Sequence, residues 1–222
     1  MSQELPDLPP LIDHALLDPH HGLEALQECC DEAAHYGFAA VCVASRWVGA
    51  ARERLPLRHP VKIVAVVSFP FGAVPAEVKR AEAEAAVESG ADELDVVPDF
   101  GALADGDCRS LLQDLAPIVE LGLPVKVILE QGRLSDDALR LLVDVSIDAG
   151  ARFLKTGSGF GPPATPALVR RLRELARGRA AIKAAGGISS LEQAWALVEA
   201  GAERLGTSRG VALMRELKAS PR

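Results

Sequence analysis

Short apolar runs alternate along the chain with amphipathic stretches, and four of the junctions between them share one layout. Tyr36-Gly37-Phe38-Ala39-Ala40-Val41-Cys42, Ser89-Gly90-Ala91-Asp92-Glu93-Leu94-Asp95, Ala149-Gly150-Ala151-Arg152-Phe153-Leu154-Lys155 and Ala200-Gly201-Ala202-Glu203-Arg204-Leu205-Gly206 each read as a helix ending on Gly, a short link and a strand. Gly suits that position because the residue just past a helix commonly takes a positive φ, which costs nothing without a Cβ. The four glycines recur at roughly fifty to sixty residues, about two βα units, so they mark every second strand of an eight-unit cycle. The intervening strands are predicted at 11–14, 61–67, 125–129 and 181–184, each a short run bounded by Pro, Gly or a polar turn.

The helices between them carry their own signals. Ser135 caps a segment with Asp136 and Asp137 in its first turn, and Leu141, Leu142, Val145 and Ala149 form one apolar stripe. Ser190 with Gln193 makes a capping box for a helix presenting Leu191, Ala194, Trp195 and Val198. No linker or low-complexity stretch breaks the rhythm. The pattern therefore predicts the α/β class, as a single (β/α)₈ TIM barrel over residues 1–222 with loose ends at about 1–9 and 219–222.

Composition narrows the function. About half the residues are apolar (49%) but only 4% are aromatic, so the core must be built from Ala, Val, Leu and Ile, as parallel strands covered by helices require. A net charge of −7 argues against coating nucleic acid or an anionic membrane, while leaving room for a local cationic pocket. The start, MSQELPDLPPL, has no basic, apolar leader pattern, and no apolar run approaches the roughly eighteen residues of a membrane span, so a soluble cytoplasmic protein is expected. Cys29, Cys30, Cys42 and Cys108 match neither a zinc spacing nor a disulfide framework, and His14, His20, His21, His35 and His59 form no ligand set. Arg170, Arg171, Arg173 and Arg177 read as a solvated helix face.

Charges inside the predicted strands carry the chemistry. The fifth position after each repeat glycine is occupied by Cys42, Asp95, Lys155 and Gly206, at the strand ends where barrels of this kind bind ligands. Lys183 ends the next strand after Lys155. Lys126 and Glu130 fall on one face of the 125–129 run and its edge, with Lys126 a candidate for substrate contact. The competing reading is a structural ion network that fills the barrel. A lysine ammonium is almost wholly protonated at neutral pH, but desolvation and a second cation nearby both favour the neutral amine. Lys183 would be that second cation for Lys155, and Asp95 would hold Lys183 protonated and, with a water, relay protons. Two glycine loops, Gly186-Gly187-Ile188-Ser189-Ser190 and Gly206-Thr207-Ser208-Arg209-Gly210, open onto helices after the last two strands, a common anion site in this fold. A third, Thr156-Gly157-Ser158-Gly159-Phe160-Gly161, adds donors, Thr156 and Gly159 among them.

With these residues in place the chain resembles the deoxyribose-phosphate aldolase family from about Leu11 to Leu213. The matching stretches are LIDHALL at Leu11, VCV at Val41, SFPFG at Ser68, GADELDVV at Gly90, VKVILE at Val125, ARFLKTGSGFG at Ala151, IKAAGGI at Ile182 and GAERLGTSRG at Gly201. The resemblance implies reversible cleavage of 2-deoxy-D-ribose 5-phosphate to acetaldehyde and D-glyceraldehyde 3-phosphate. It implies Lys155 as Schiff-base lysine, Lys183 as its tuner and Asp95 as acid/base partner. Gly186, Gly187, Gly206 and Ser208 would lie around the phosphate, and Asp13 in the pocket. It implies no metal or organic cofactor, and a homodimer.

The departures concern the substrate loops. Lys-Thr-Ser-Thr-Gly reads Lys155-Thr156-Gly157-Ser158-Gly159, the Arg of GGIR is Ser189, and a usual Ser is Arg209, which is expected to restore the lost positive charge. Asn-Pro after the Cys42 strand is Ala44-Ser45, the Thr after Asp13-His14 is Ala15, and the chain ends Ser220-Pro221-Arg222 without the C-terminal tyrosine of some members. Two other readings remain: a Schiff-base aldolase with a different aldehyde or ketone donor, and a non-catalytic phosphosugar-binding barrel.

Overall fold

The computed structural model describes residues 7–219. Eight parallel strands close into a barrel in chain order: β1 Ile12–Leu16, β2 Ala40–Ala44, β3 Lys62–Val67, β4 Glu93–Val96, β5 Val125–Ile128, β6 Phe153–Lys155, β7 Ala181–Ala185 and β8 Arg204–Thr207. β8 pairs back onto β1, with Gly206 opposite Asp13. Outside lie α1 Leu23–Tyr36, α2 Val48–Arg54, α3 Ala76–Glu88, α4 Phe100–Ala104, α5 Cys108–Val119, α6 Asp136–Asp148, α7 Pro166–Ala176, α8 Leu191–Glu199 and α9 Gly210–Ala219. This is the expected (β/α)₈ barrel. All four repeat glycines take positive φ, at 70°, 97°, 93° and 110° for Gly37, Gly90, Gly150 and Gly201. The Ser190–Gln193 capping box forms, and Ser135 accepts from the Ala138 N–H at the start of α6.

Side-chain alternation sorts the strands into two layers. Val41, Val43, Ile63, Ala65, Leu94, Val127, Leu154, Ile182 and Leu205 point outward and form one buried core with the helices. Inside, Ala40, Cys42, Val64 and Val66 make a small apolar cluster on the β2–β3 side. The interior beyond it carries the charged side chains of Asp13, Glu93, Asp95, Lys126, Lys155, Lys183 and Arg204.

Two expectations are corrected. Leu8 and Pro9 fall in the stretch expected to be loose, yet Leu8 is 1% exposed in the core and Pro9–Leu11 forms a 3₁₀ turn. Ala219 likewise belongs to α9, while residues 1–6 and 220–222 of the loose ends expected at about 1–9 and 219–222 lie outside the described residues. The strand at 125–129 ends at Ile128, and Glu130 takes a left-handed backbone (φ 44°) that turns it away from the face carrying Lys126.

Candidate active site

Alternation puts Glu93 and Asp95, Lys183 and Ala185, and Arg204 and Gly206 on the inner faces of their strands. Desolvated charges at such positions must pair, since an isolated one costs several kcal/mol on the order expected for buried ions. They pair in one continuous network. Asp95 Oδ2 accepts from Lys155 Nζ at 2.9 Å and from Lys183 Nζ at 2.7 Å, while Oδ1 accepts from Lys126 Nζ at 2.9 Å. Lys126 also meets Glu93 at 2.6 Å and Lys183 meets Asp13 at 2.5 Å, both close ion pairs outside hydrogen-bond alignment. Arg204 closes the network by bonding Asp13 and reaching Glu93 at 3.5 Å.

The protonation pattern follows from these neighbours. Burial alone would raise the Asp95 carboxyl, but Lys126, Lys155 and Lys183 together outweigh it and hold it well below the usual carboxylate range. Burial is likewise the largest influence on Asp13, and Lys183 and Arg204 overcome it to bring that group to about 2. For Lys183 burial favours the neutral amine, yet Asp13 and Asp95 prevail and push it above the ordinary lysine value. Lys183 is thus held as a cation by the two carboxylates. Cys42 Sγ lies 3.8 Å from Asp95 Oδ2, and burial raises its thiol, so it packs against the network as a neutral group.

Above the network opens a cavity of about 720 Å³. Lys155 and Lys183 reach its lining, together with Gly159, Gly186, Gly187, Gly206, Ser208 and Arg209. Gly206 has a spatial reason: a Cβ there would sit 3.1 Å from Lys183 Cε and 3.0 Å from the Ala185 methyl. Arg209 is exposed, and its guanidinium has no ion-pair partner among the described residues.

Four sequence-predicted site residues lie elsewhere. Asp13, Asp95 and Lys126 are fully buried beneath the two lysines and do not line the cavity. Asp95 therefore meets the cavity only by way of the two lysines it bonds, and the placement of Asp13 and Lys126 differs from the substrate contact expected of them, because the cations and carboxylates of the network occupy both. Thr156 is also turned from the cavity, its hydroxyl donating to Ala185 O and accepting from Ala185 N, each at 2.9 Å. That pins β6 to β7. Lys126 and Glu130 make no pair, for the backbone reason given above.

Sequence reasoning missed Glu93 and Arg204, although the period of two that placed Asp95 and Gly206 inside also places them inside. It also missed His20 and His21, which line the rim with Asp18, His20 bonding Asp18 at 3.0 Å. No strand or helix period governs that loop. His14 points outward to Glu32 at 2.8 Å and packs on Phe38, so it is a structural imidazole.

The chain is similar over nearly its whole length to proteins of one kind. It is 47% identical over 213 residues, 96% of this chain and 98% of the relative, to the deoxyribose-phosphate aldolase of Thermosynechococcus vestitus. It is 44% identical to that of Thermococcus gammatolerans, covering 94% of this chain and 95% of the relative. Among solved structures, the tetrameric deoxyribose phosphate aldolase from Aeropyrum pernix superposes with a TM-score of 0.87 at 36% identity, over 96% of this chain and 91% of that one. An aldolase named QR15 does so at 0.91 and 35%, over 96% of each. Orotidine 5'-phosphate decarboxylase from Pyrococcus horikoshii, at 15% identity, shares the barrel alone, with a TM-score of 0.67 over 93% of this chain and the whole of that one. No protein-family model matches the chain.

Proposed function

The chain belongs to the deoxyribose-phosphate aldolase family, and from that premise we propose that Lys155 is the amine through which it works. It is an aldolase that reversibly cleaves 2-deoxy-D-ribose 5-phosphate to acetaldehyde and D-glyceraldehyde 3-phosphate. The observation that carries the assignment is two amines on one carboxylate oxygen, with Lys155 at the cavity wall. Lys126, Lys155, Lys183 and Arg204, with the half-exposed Lys62 also on Glu93 at 3.0 Å, share Asp13, Glu93 and Asp95, so the cations outnumber the carboxylates. Lys155 has the weakest hold. It meets a single carboxylate oxygen, which it shares, whereas Lys126, Lys183 and Arg204 each meet two acids.

The neutral amine adds to C1 of the open-chain aldehyde and expels water, leaving an iminium ion. Loss of the C3 hydroxyl proton then breaks the C2–C3 bond, the electron pair passing into the iminium to form an enamine as glyceraldehyde 3-phosphate departs. Protonation of the enamine at C2 and hydrolysis release acetaldehyde and the lysine. Lys183, held charged by Asp13 and Asp95, competes with Lys155 for the same Asp95 oxygen. Asp95 relays protons by way of the lysines it binds.

The phosphate is assigned to the end of the cavity built by Gly186, Gly187, Gly206 and Ser208 at the approaches to α8 and α9, with Arg209 as counter-charge. Gly159 borders the sugar. A homodimer in the cytoplasm belongs to the same reading; no helix among the described residues is long and apolar enough to cross a membrane.

Borohydride reduction with acetaldehyde should add one ethyl group to the wild-type protein and none to Lys155→Ala, whose cleavage activity should fall by about 10⁴-fold or more. An adduct of equal mass in the variant would end the assignment. Arg209→Ala should raise KM for the phosphorylated substrate about tenfold, roughly 1.4 kcal/mol, and leave unphosphorylated deoxyribose unaffected. An unchanged KM would remove Arg209 from the site.

A further inference from the structure

The loop after Lys155 is folded around a carboxylate that the mechanism does not use. Glu130 has φ 44° and ψ 41°, a left-handed conformation that costs a residue with a side chain about 1–3 kcal/mol and persists only where its surroundings enforce it. The enforcement is visible on both sides. Leu129 N–H donates to Lys155 O at 2.9 Å and Gln131 N–H to Thr156 O at 3.1 Å, so residue 130 is held on both sides against the end of β6. The side chain, 9% exposed as a residue, is turned onto the loop of residues 156–161.

There its Oε1 accepts from the Ser158 N–H. The loop is shaped to admit it. A Cβ on Gly157 would lie 3.0 Å from Oε1, and one on Gly161 would collide with Oε2. Neither glycine has positive φ, so both are needed for room and not for backbone freedom. Glu130 does not line the catalytic cavity. It borders a second hollow of about 510 Å³, and Ser158 and Phe160 form the wall between the two. On the catalytic side Phe160 meets Phe69 edge to face at 5.7 Å, and Lys155 Nζ lies 5.9 Å from the Phe69 ring.

We propose that Glu130 is a positioning residue: its carboxylate fixes the loop so that Ser158, Gly159 and Phe160 meet the part of the substrate beyond the aldehyde. The proposal rests on Lys155 being the reactive amine and the cavity being the substrate site. Lys155 itself does not depend on Glu130, because β6, Asp95 and the Thr156 pin on β7 hold it. Losing Glu130 therefore releases the loop and leaves the amine in place.

Kinetics with deoxyribose 5-phosphate and borohydride trapping with acetaldehyde separate the two. Glu130→Ala should raise KM about tenfold with a smaller change in kcat, while its rate of ethyl adduct formation stays within about twofold of wild type. Glu130→Gln keeps an oxygen for the Ser158 N–H and should stay within about twofold in KM. Gly161→Ala places a methyl where Oε2 sits and should reproduce the Glu130→Ala phenotype, and the double variant should be no worse than either single one. An unchanged KM in Glu130→Ala, additive losses in the double variant, or parallel loss of adduct and KM would each overturn the proposal. Should Glu130→Ala fail to fold, Gly161→Ala and Glu130→Gln decide it. No adduct in the wild type would instead overturn the role of Lys155.

Discussion

Lys79 and Asp114 face each other between α3 and α5 at 2.6 Å, both buried, much as Lys183 faces Asp95 inside the barrel at 2.7 Å. The two settings drive the groups in opposite directions. In the helix layer burial wins: it lowers Lys79 and raises Asp114 against their mutual attraction, each moving toward its neutral form. In the barrel the neighbours win, and Lys183 moves up while Asp95 moves down. The difference is number. A lone pair has one partner to offset desolvation, whereas the barrel network gives most of its charges two, and leaves cations in excess of carboxylates. Burial and pairing are common to both; what sets the barrel cluster apart is the excess of cations, together with an opening above Lys155.

Removing the second cation is the sharpest way to break that contrast. Lys183→Met leaves the Oδ2 oxygen of Asp95 to Lys155 alone and Asp13 with Arg204, so kcat should fall by about 10²–10³-fold, on the scale of a lost acid/base partner, with less change in KM. A purely KM effect in steady-state kinetics would show that Lys183 binds and does not tune.

The helix-layer pair should behave as structure only. Lys79→Met strands a buried carboxylate and should cost about 3–5 kcal/mol in urea unfolding, with kcat unchanged. Adding Asp114→Asn should recover much of that loss, since Asn still accepts from the Asp99 N–H that now bonds Asp114 at 3.0 Å. A fall in kcat matching the fall in stability would erase the distinction between the two clusters.

The smallest effect is acid sensitivity. Asp13 sits at about 2 in the folded protein against 3.8 as its ordinary value, and Asp95 is displaced in the same direction. Between those values the unfolded chain takes up protons that the folded one does not, so stability is complete above about pH 4 and is lost as pH falls toward 2. Asp13 alone accounts for roughly 2 kcal/mol of this. Asp114, moved upward, works the other way and contributes no such loss. Unfolding midpoints at pH 5 and pH 3 in Asp13→Asn and wild type should converge at the lower pH; parallel curves would contradict the network's hold on Asp13.

Much of this molecule was legible in its sequence. Four glycine-marked junctions established the order of eight strands, and a period of two placed Asp95 and Lys155 on interior faces beside Lys183, because alternation is a local property of an extended chain. The same rule contained Glu93 and Arg204, which were overlooked. Depth was not legible. Asp13 and Lys126 share the inward orientation of Lys155 yet lie below the cavity, since height along a barrel depends on how each strand is staggered against the next when the sheet closes. Asp13 finds Arg204 only because β1 pairs with β8, and Glu130 is turned onto the Ser158 loop only because the backbone on both sides is bonded to the end of β6. The amino-acid order determined which residues face inward; closure of the barrel decided which of them meet solvent, which neutralise one another, and which amine is left with a half-share of a carboxylate oxygen.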